Sequence, residues 1–185
     1  MQTKRKSIRL KDYDYSEPGD YFVTICAQNK KCLFGEVVDC EMKLNDLGRM
    51  VEKWWIELKK KFPSVGLDEY IIMPSHLHGV ITIIDPVGAD LCVCPQRSYC
   101  PSKKGGHAGP PLQEIIQWFK TMTTNEYVQN VKTKNWPPFE KRLWQRNYYE
   151  HIIRGKNDLD KIRDYIISNP GVWTEDKENP NYKKQ

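Results

Sequence analysis

The sequence predicts a single α+β domain, in which an antiparallel sheet is covered by amphipathic helices on one face. Short segments rich in β-branched and aromatic residues alternate with three segments whose apolar residues recur at helical spacing. The chain has 185 residues, which suits one domain with tails, and 39% of them are hydrophobic, which is enough for a core. Residues 1–17 are expected to form a basic N-terminal arm, 18–173 the domain, and 174–185 a polar C-terminal tail.

The elements follow in order along the chain, and each is predicted from its own pattern. A first strand and a hairpin precede a helix that Asn45 is placed to cap. The second half of the sheet has a nearly continuous apolar strand, which is typical of a central position because both faces are buried. The predicted strands are 21–26, 32–38, 42–44, 68–73, 76–84 and the edge strand 143–153, and the predicted helices are 47–58, 112–122 and one that begins at Asn157 or Asp158 and ends before Pro170.

A long segment, residues 86–111, is rich in Gly, Pro, Ser and Cys and is predicted to be a flexible loop. It contains Cys92, Cys94 and Cys100, whose spacing is Cys-x-Cys with a distant third cysteine. Structural zinc sites use Cys-x-x-Cys pairs or histidine partners, so this spacing argues against zinc. No apolar run is long enough to cross a membrane, and Met1 to Lys11 lacks the apolar core of a secretory signal. We therefore expect a cytoplasmic protein with reduced thiols and no membrane attachment.

Basic residues are concentrated at the two ends of the chain, although the net charge is only +5. The first eleven residues contain five cations and no acid, and the last third contains Arg146, Arg154 and Lys161 among others. Such a face fits contacts with nucleic-acid phosphates, but an ordinary solvated surface explains it equally well. A neighbouring aromatic residue, Trp144, is able either to stack on a base or to pack under the edge strand.

His76 and His78 give the most specific local signal for chemistry. Side chains alternate along a strand, so both imidazoles are expected on one face, close enough to share a metal ion, with Leu77 pointing into the opposite layer. A histidine-triad hydrolase would need a third histidine at the next position on that face, where Val80 stands. A third ligand must therefore come from elsewhere in the chain.

Tyr165 and Asn169 form a second pair of candidate site residues. They are four residues apart on the last predicted helix and therefore share one face. The amide oxygen of Asn169 is able to bind a metal, and the phenol of Tyr165 is able to attack phosphorus. Spacing alone is equally consistent with core packing for the tyrosine and a helix end at Asn169-Pro170.

Three segments together resemble the REP-associated tyrosine transposases, which are relatives of the single-tyrosine transposases of the HUH endonuclease superfamily. The residues that carry the resemblance lie between about Ile8 and Trp173. They are Met73-Pro74-Ser75-His76-Leu77-His78-Gly79, the Trp144–Arg154 segment Trp-Gln-Arg-Asn-Tyr-Tyr-Glu-His-Ile-Ile-Arg, and Asp164-Tyr165-Ile166-Ile167-Ser168-Asn169-Pro170.

The resemblance implies a ferredoxin-like two-layer sandwich. It implies that His76 and His78 bind Mg²⁺ or Mn²⁺, with Asn169 as a third ligand, and that Tyr165 is the nucleophile. The reaction would cut single-stranded or hairpin DNA through a 5′-phosphotyrosine link and rejoin it to another strand. Arg146, Arg154, Trp144 and Lys161 are the DNA-contact residues expected beside the site, and a homodimer is one assembly that the sequence leaves open.

Two other functions remain consistent with the residues. A non-catalytic protein that binds hairpin DNA or structured RNA would need the basic surface but neither the histidines nor Tyr165. A metal-dependent phosphoesterase that activates water would use the histidines but leave no protein–DNA adduct.

Overall fold

The structure is a computed structural model that describes residues 13–84 and 110–182. The basic residues up to Lys11 and residues 86–109 of the predicted loop, with Cys92, Cys94 and Cys100, lie outside the described residues. The helices and strands are β1 Gly19–Cys26, β2 Gly35–Val38, β3 Glu41–Leu44, α1 Asp46–Lys61, β4 Val65–Ile72, β5 His76–Ile83, α2 Leu112–Thr133, β6 Tyr149–Ile153 and α3 Lys156–Ser168, followed by a short 3₁₀ helix Asn169–Glu175.

Four strands form the main sheet in the order β4-β5-β1-β6, and every neighbouring pair is antiparallel. The succession of β1, α1, β4, β5, α2 and β6 is the β-α-β-β-α-β arrangement of ferredoxin-like folds. The β2–β3 hairpin is inserted between β1 and α1 as a separate two-stranded sheet. The predicted α+β class, the central position of β5 and the edge position of β6 are confirmed.

The two faces of the sheet are covered by different helices. Tyr21, Val23 and Leu77 point to the face where α1 and α2 enclose the main core. The alternate residues Phe22 and Val80 point to the other face and pack against Ile166 and its neighbours on α3. The prediction that helices lie on one face is therefore right for α1 and α2 and wrong for α3, because an apolar stripe shows that a helix packs but not on which face.

Two contacts fix α3 in place. The Arg163 guanidinium donates hydrogen bonds of 2.9 and 2.6 Å to the Asp68 carboxylate on β4. At the start of the helix the chain turns through Gly155, whose φ of 88° lies in the left-handed region that favours glycine. Gly155 is thus the N-cap and not Asn157 or Asp158, while the Asp158 carboxylate reaches back to accept the backbone N–H of Arg154 at 3.0 Å. For α1 the predicted cap at Asn45 is confirmed, since the Asn45 side chain accepts the Gly48 N–H at 2.9 Å.

The described parts of both chain ends pack against the domain. Tyr15 is buried in the main core, and its carbonyl accepts the N–H of Leu112 at 3.0 Å, so the packed region begins before residue 18. At the other end Asp176 and Asn179 are buried, and the Ser75 hydroxyl donates to the Glu178 carbonyl at 2.7 Å. Residues 176–179, which were expected to belong to a polar tail, instead cover the turn between β4 and β5. None of the helices described here combines the length and the apolar content needed to cross a membrane.

Candidate metal centre and active-site cleft

The two histidines lie side by side on the face of the sheet that α3 covers. His76 pairs with Cys26 and His78 with Thr24 on the neighbouring strand β1, and both imidazoles are buried. Their ring centroids are 4.3 Å apart. Because Leu77 enters the opposite core, the alternation predicted for this strand is confirmed.

Hydrogen bonding defines which nitrogen of His76 carries a hydrogen. The Ser75 hydroxyl has one hydrogen, and it donates that hydrogen to the Glu178 carbonyl. At the 3.2 Å contact between Ser75 Oγ and His76 Nδ1, the imidazole must then be the donor. This leaves Nε2 of neutral His76 as an acceptor with a free lone pair, which is the form that binds a metal.

His78 is oriented in the same way by two hydroxyl groups. Its Nδ1 lies 2.8 Å from Thr24 Oγ1, and its Nε2 lies 3.2 Å from the hydroxyl of Tyr165. If Nδ1 donates to Thr24, Nε2 is an acceptor that faces both the phenol and the His76 ring. Thr24 thus has the position of a hydrogen-bonded support for a ligand histidine.

Asp176 brings a carboxylate to the two imidazoles. Its Oδ2 lies 3.5 Å from His76 Nε2 and 3.9 Å from His78 Nε2, and the three side chains form a group able to hold a metal ion. A turn fixes the carboxylate, because Asp176 Oδ1 accepts the backbone N–H of Glu178 at 2.7 Å. Among the described residues, neither His76 Nε2 nor Asp176 Oδ2 has a hydrogen-bond partner.

Two buried acceptors that face each other form a suitable site for a cation. A proton is a poor candidate at neutral pH, because burial and the neighbouring His78 hold the pKa of His76 well below its ordinary value. Burial alone would raise the pKa of Asp176, but His78 and the Glu178 N–H outweigh it and the pKa is lowered, so this group is ionised. The residues therefore fit a divalent metal ion, for which a carboxylate and two neutral imidazoles are ordinary ligands.

Asn169 lies at the end of α3, as the first residue of the 3₁₀ helix, and lines the same cleft as His78. Its side chain is 1% exposed and lies close enough to the Tyr165 hydroxyl to lower the pKa of that phenol. Burying an amide costs free energy unless it is hydrogen-bonded, and a bound metal ion would satisfy the amide oxygen.

Tyr165 faces the histidines across an open cleft of about 730 Å³. Its ring meets the rings of His78 and Phe22 edge to face, with centroids 5.2 and 6.0 Å apart, and it is 43% exposed. Burial of the hydroxyl, and then the charge of Asp176, raise the pKa of Tyr165 to about 12. The phenol is therefore protonated at neutral pH and needs help to react as a nucleophile.

The two tyrosines of the Trp144–Arg154 segment, Tyr148 and Tyr149, differ in burial. Tyr148 is buried in the main core, whereas Tyr149 is exposed and lines the cleft beside Phe22, 6.4 Å away between ring centroids. Tyr149 pairs with Thr24 and therefore lies on the histidine face, whereas Tyr148, which also borders the cleft, packs into the main core.

The predicted DNA-contact residues differ in exposure: one is buried in the core and three lie on the surface. Trp144 is 4% exposed, packs against Phe34 and Phe119, and donates its indole N–H to Thr123 Oγ1 at 2.8 Å. Its ring is therefore enclosed by core side chains, and the base-stacking role is wrong. Arg146, Arg154 and Lys161 are exposed, but none of the three lines the cleft of His78.

The sequence analysis missed Asp176, Thr24 and Ser75. Asp176 lies a hundred residues from the histidines, within a segment interpreted as a tail. The one available signal was the Asp-x-x-Asn spacing of Asp176 and Asn179, whose side chains each accept a backbone N–H two residues later and thus build successive turns.

Comparison with known proteins identifies a relative in sequence and a solved structure with the same fold. No family model matches the chain. A protein of uncharacterised function from Haemophilus influenzae is 41% identical over 173 residues, which cover 94% of this chain and 92% of the relative. The chain belongs to the same family as that protein.

Among solved structures, a REP-associated tyrosine transposase bound to a REP hairpin superposes with a TM-score of 0.57 at 17% identity, covering 91% of this chain and 76% of the other. This likeness shows that the chain has the fold of that transposase, which confirms the expected resemblance at the level of fold. A candidate transposase from Deinococcus radiodurans aligns at 11% identity with a TM-score of 0.46, over 85% of this chain and 94% of its own.

Proposed function

We propose that the protein is a metal-dependent endonuclease and strand transferase that acts on single-stranded or hairpin DNA through a 5′-phosphotyrosine intermediate, as a transposase does. The observation that carries the proposal is the 3.2 Å contact between the Tyr165 hydroxyl and His78 Nε2. A phenol beside a buried group of metal-binding side chains is an arrangement that core packing does not require. The shared fold with a transposase supports the same reaction class.

His76, His78 and Asp176 are the proposed ligands, and the buried amide of Asn169 is a fourth. Two nitrogens combined with carboxylate and amide oxygens suit Mn²⁺, and Mg²⁺ is the alternative that prefers the oxygens. When bound, the ion supplies positive charge that neutralises the target phosphate and lowers the cost of a phenolate nearby.

Tyr165 provides the attacking oxygen. Its Oη forms a bond to phosphorus while the bond from phosphorus to the 3′ oxygen breaks, so the DNA leaves a free 3′-hydroxyl and a 5′-phosphotyrosine. The phenol loses one proton and the leaving oxygen gains one, and no oxidant or other reactant is needed. Attack by the 3′-hydroxyl of another strand reverses the step and joins that strand.

The proposed DNA contacts outside the cleft are made by Arg146, Arg154 and Lys161, whose charges are exposed. The solved transposase is bound to a REP hairpin, which supports hairpin DNA as the substrate here. Cytoplasmic location follows from action on chromosomal DNA as a further part of the proposal.

The test is a comparison of Tyr165→Phe with Tyr149→Phe, which removes a hydroxyl from the same cleft. We expect Tyr165→Phe to lose all cleavage of a labelled hairpin with Mn²⁺ while hairpin binding stays within a few-fold, because the change removes the attacking oxygen and little volume. Tyr149→Phe is expected to cleave. Wild-type protein should form a covalent adduct that survives denaturation and maps to Tyr165 by peptide mass spectrometry.

Each alternative gives a different result. An adduct on Tyr149 would reassign the nucleophile and keep the enzyme class. Cleavage without any adduct would indicate the phosphoesterase that activates water, and hairpin binding without cleavage under any metal would indicate the non-catalytic DNA-binding protein.

A further inference from the structure

A second cleft lies next to the metal cleft, between α2 and the segment that leads into β6. It has a volume of about 860 Å³ and contains side chains from residues 113–125 of α2 and 139–148 of the segment. Four cationic side chains line it, namely Lys120, Lys141, Arg142 and Arg146. Nothing in the proposed chemistry at Tyr165 uses this cleft.

The charge of this second cleft is one-sided. The chain has 24 acidic residues against 29 basic ones, yet no carboxylate is among the described residues that line the cleft. Glu140, which is adjacent in sequence, lines a different hollow and lies 3.9 Å from Lys31 through its carboxylate. The guanidinium groups of Arg142 and Arg146 consequently have no acidic partner within the cleft, and such groups bind phosphate oxygens readily.

The polar residues between the cations favour unpaired bases. Gln113, Gln117 and Asn125 line the cleft with amide groups that both donate and accept hydrogen bonds. Base edges offer the same mixture of donors and acceptors when no complementary strand occupies them. Recognition of single strands typically combines a cationic path for the backbone with contacts to exposed bases.

The two clefts meet at residues 145–148, which form a strip that they share. Gln145 and Tyr148 line both clefts. The Lys120 ammonium holds this strip by donating hydrogen bonds to the carbonyls of Gln145 at 2.9 Å and Asn147 at 3.2 Å. Lys120 also lies over the Tyr148 ring, 5.5 Å from its centroid. A strand that passes over this strip would run from one cleft directly into the other.

The metal cleft has the opposite charge character. Glu175, Asp176 and Glu178 line it, and the cations beside them are Lys177 and Lys30, whose ammonium lies 3.2 Å from the Glu178 carboxylate. Without a bound metal ion Glu175 and Asp176 repel a phosphodiester, whereas the second cleft attracts it. Binding of the strand and binding of the ion are therefore assigned to different surfaces.

We propose that this second cleft binds the phosphodiester backbone of single-stranded DNA adjacent to the phosphate that Tyr165 attacks, and that it does so without metal. The proposal rests on the proposed function for its substrate. Arg142 and Arg146 bind phosphates, and Lys120 is a positioning residue that keeps the shared strip in place.

The experiment measures binding of a fluorescent single-stranded oligonucleotide by anisotropy in EDTA over a series of salt concentrations. The test variant is Arg142→Glu with Arg146→Glu, and the matched control is Lys59→Glu with Lys132→Glu, two exposed lysines outside both clefts with the same change in net charge. Each lost phosphate contact should lower the slope of log K against log salt by about 0.7, so the test variant should lose about 1.4 and the control much less. Circular dichroism melting establishes that both variants are folded.

The outcomes separate this proposal from the proposed function. Equal binding and equal slopes for the two double variants overturn the cleft assignment, even if the wild-type protein nicks DNA. A large loss in the cleft variant alone supports the assignment, even if no nicking is found with any metal. A preference for duplex DNA or for RNA of the same sequence in the wild-type protein also overturns it, because the cleft is assigned to unpaired DNA.

Discussion

Replacing Asp176 with Asn should stabilise the metal-free protein and at the same time abolish its response to Mn²⁺. In the structure, Asp176 Oδ2 and His76 Nε2 are 3.5 Å apart, and both are acceptors without partners among the described residues. An asparagine amide would place an N–H donor opposite the imidazole lone pair, while its oxygen keeps the hydrogen bond from the Glu178 N–H. A new buried hydrogen bond contributes about 1 kcal/mol, which for a chain of this size raises Tm by roughly 2–4 °C.

The metal response should change in the opposite direction. For wild-type protein in Mn²⁺ at a hundred times its Kd, binding to the folded state alone stabilises by about 2.7 kcal/mol, or roughly 5–10 °C in Tm. Asp176→Asn removes the charged ligand and should reduce this shift to within about 2 °C, because a neutral amide binds a divalent ion far less tightly.

The assay is differential scanning fluorimetry at pH 8, where His76 is neutral, in EDTA and in a series of Mn²⁺ concentrations. Asp164→Asn is the matched control, since Asp164 is exposed on α3. The reasoning is refuted if Asp176→Asn melts below the wild type in EDTA, or if both variants keep the full shift with Mn²⁺.

Three further predictions concern the ligands, the attachment of α3 and the packing behind the site. His76→Ala and His78→Ala should each weaken Mn²⁺ binding by at least about tenfold in calorimetric titration and abolish cleavage; unchanged binding in both would contradict the site. The hydrogen bonds from Arg163 lower the pKa of Asp68 below its ordinary 3.8, so the stability that this pair contributes is present above that value and lost as pH falls through the lowered pKa. Asp68→Asn should therefore reduce Tm by a few degrees at most at pH 7 and by progressively less in thermal melts as the pH falls through the lowered pKa of Asp68, and an equal reduction at neutral and acid pH would show that charge is not the cause. Gly79→Ala should lower the free energy of unfolding by about 1–3 kcal/mol in urea titration, since a Cβ there would lie 2.4 Å from the indole ring of Trp55 on α1. A variant as stable as the wild type would mean that the indole moves freely.

The parts of the fold that follow from local spacing were predictable from the sequence. The alternation of His76, Leu77 and His78 places the imidazoles together because strand geometry leaves no other choice. Likewise Tyr165 and Asn169 share a helix face because of the helical period alone.

The parts that depend on long-range packing were not predictable in the same way. Asp176 reaches the histidines only because the chain turns after α3 and the Glu178 carbonyl docks on Ser75, and neither step has a periodic signature. The prediction that Trp144 stacks on a DNA base was wrong for a similar reason. An aromatic residue before an edge strand packs inward or outward according to what lies beneath it, and here the hydroxyl of Thr123 accepts its N–H.

The charges of the two clefts explain why an ion and a DNA strand would need each other at this site. The phenol of Tyr165 is kept protonated by burial and by the negative charge of Asp176, which also repels an incoming phosphate. The electrostatic part of the pKa shift and the repulsion of the phosphate arise from the same carboxylate, and a divalent ion held between Asp176 and the imidazoles would reduce both together. A strand bound in the basic cleft alone would therefore leave Tyr165 inactive, and the ion would activate Tyr165 at the moment when it also makes room for the phosphate. Under the proposed function, the carboxylate that sequence analysis missed would thus be the group that makes cleavage conditional on metal.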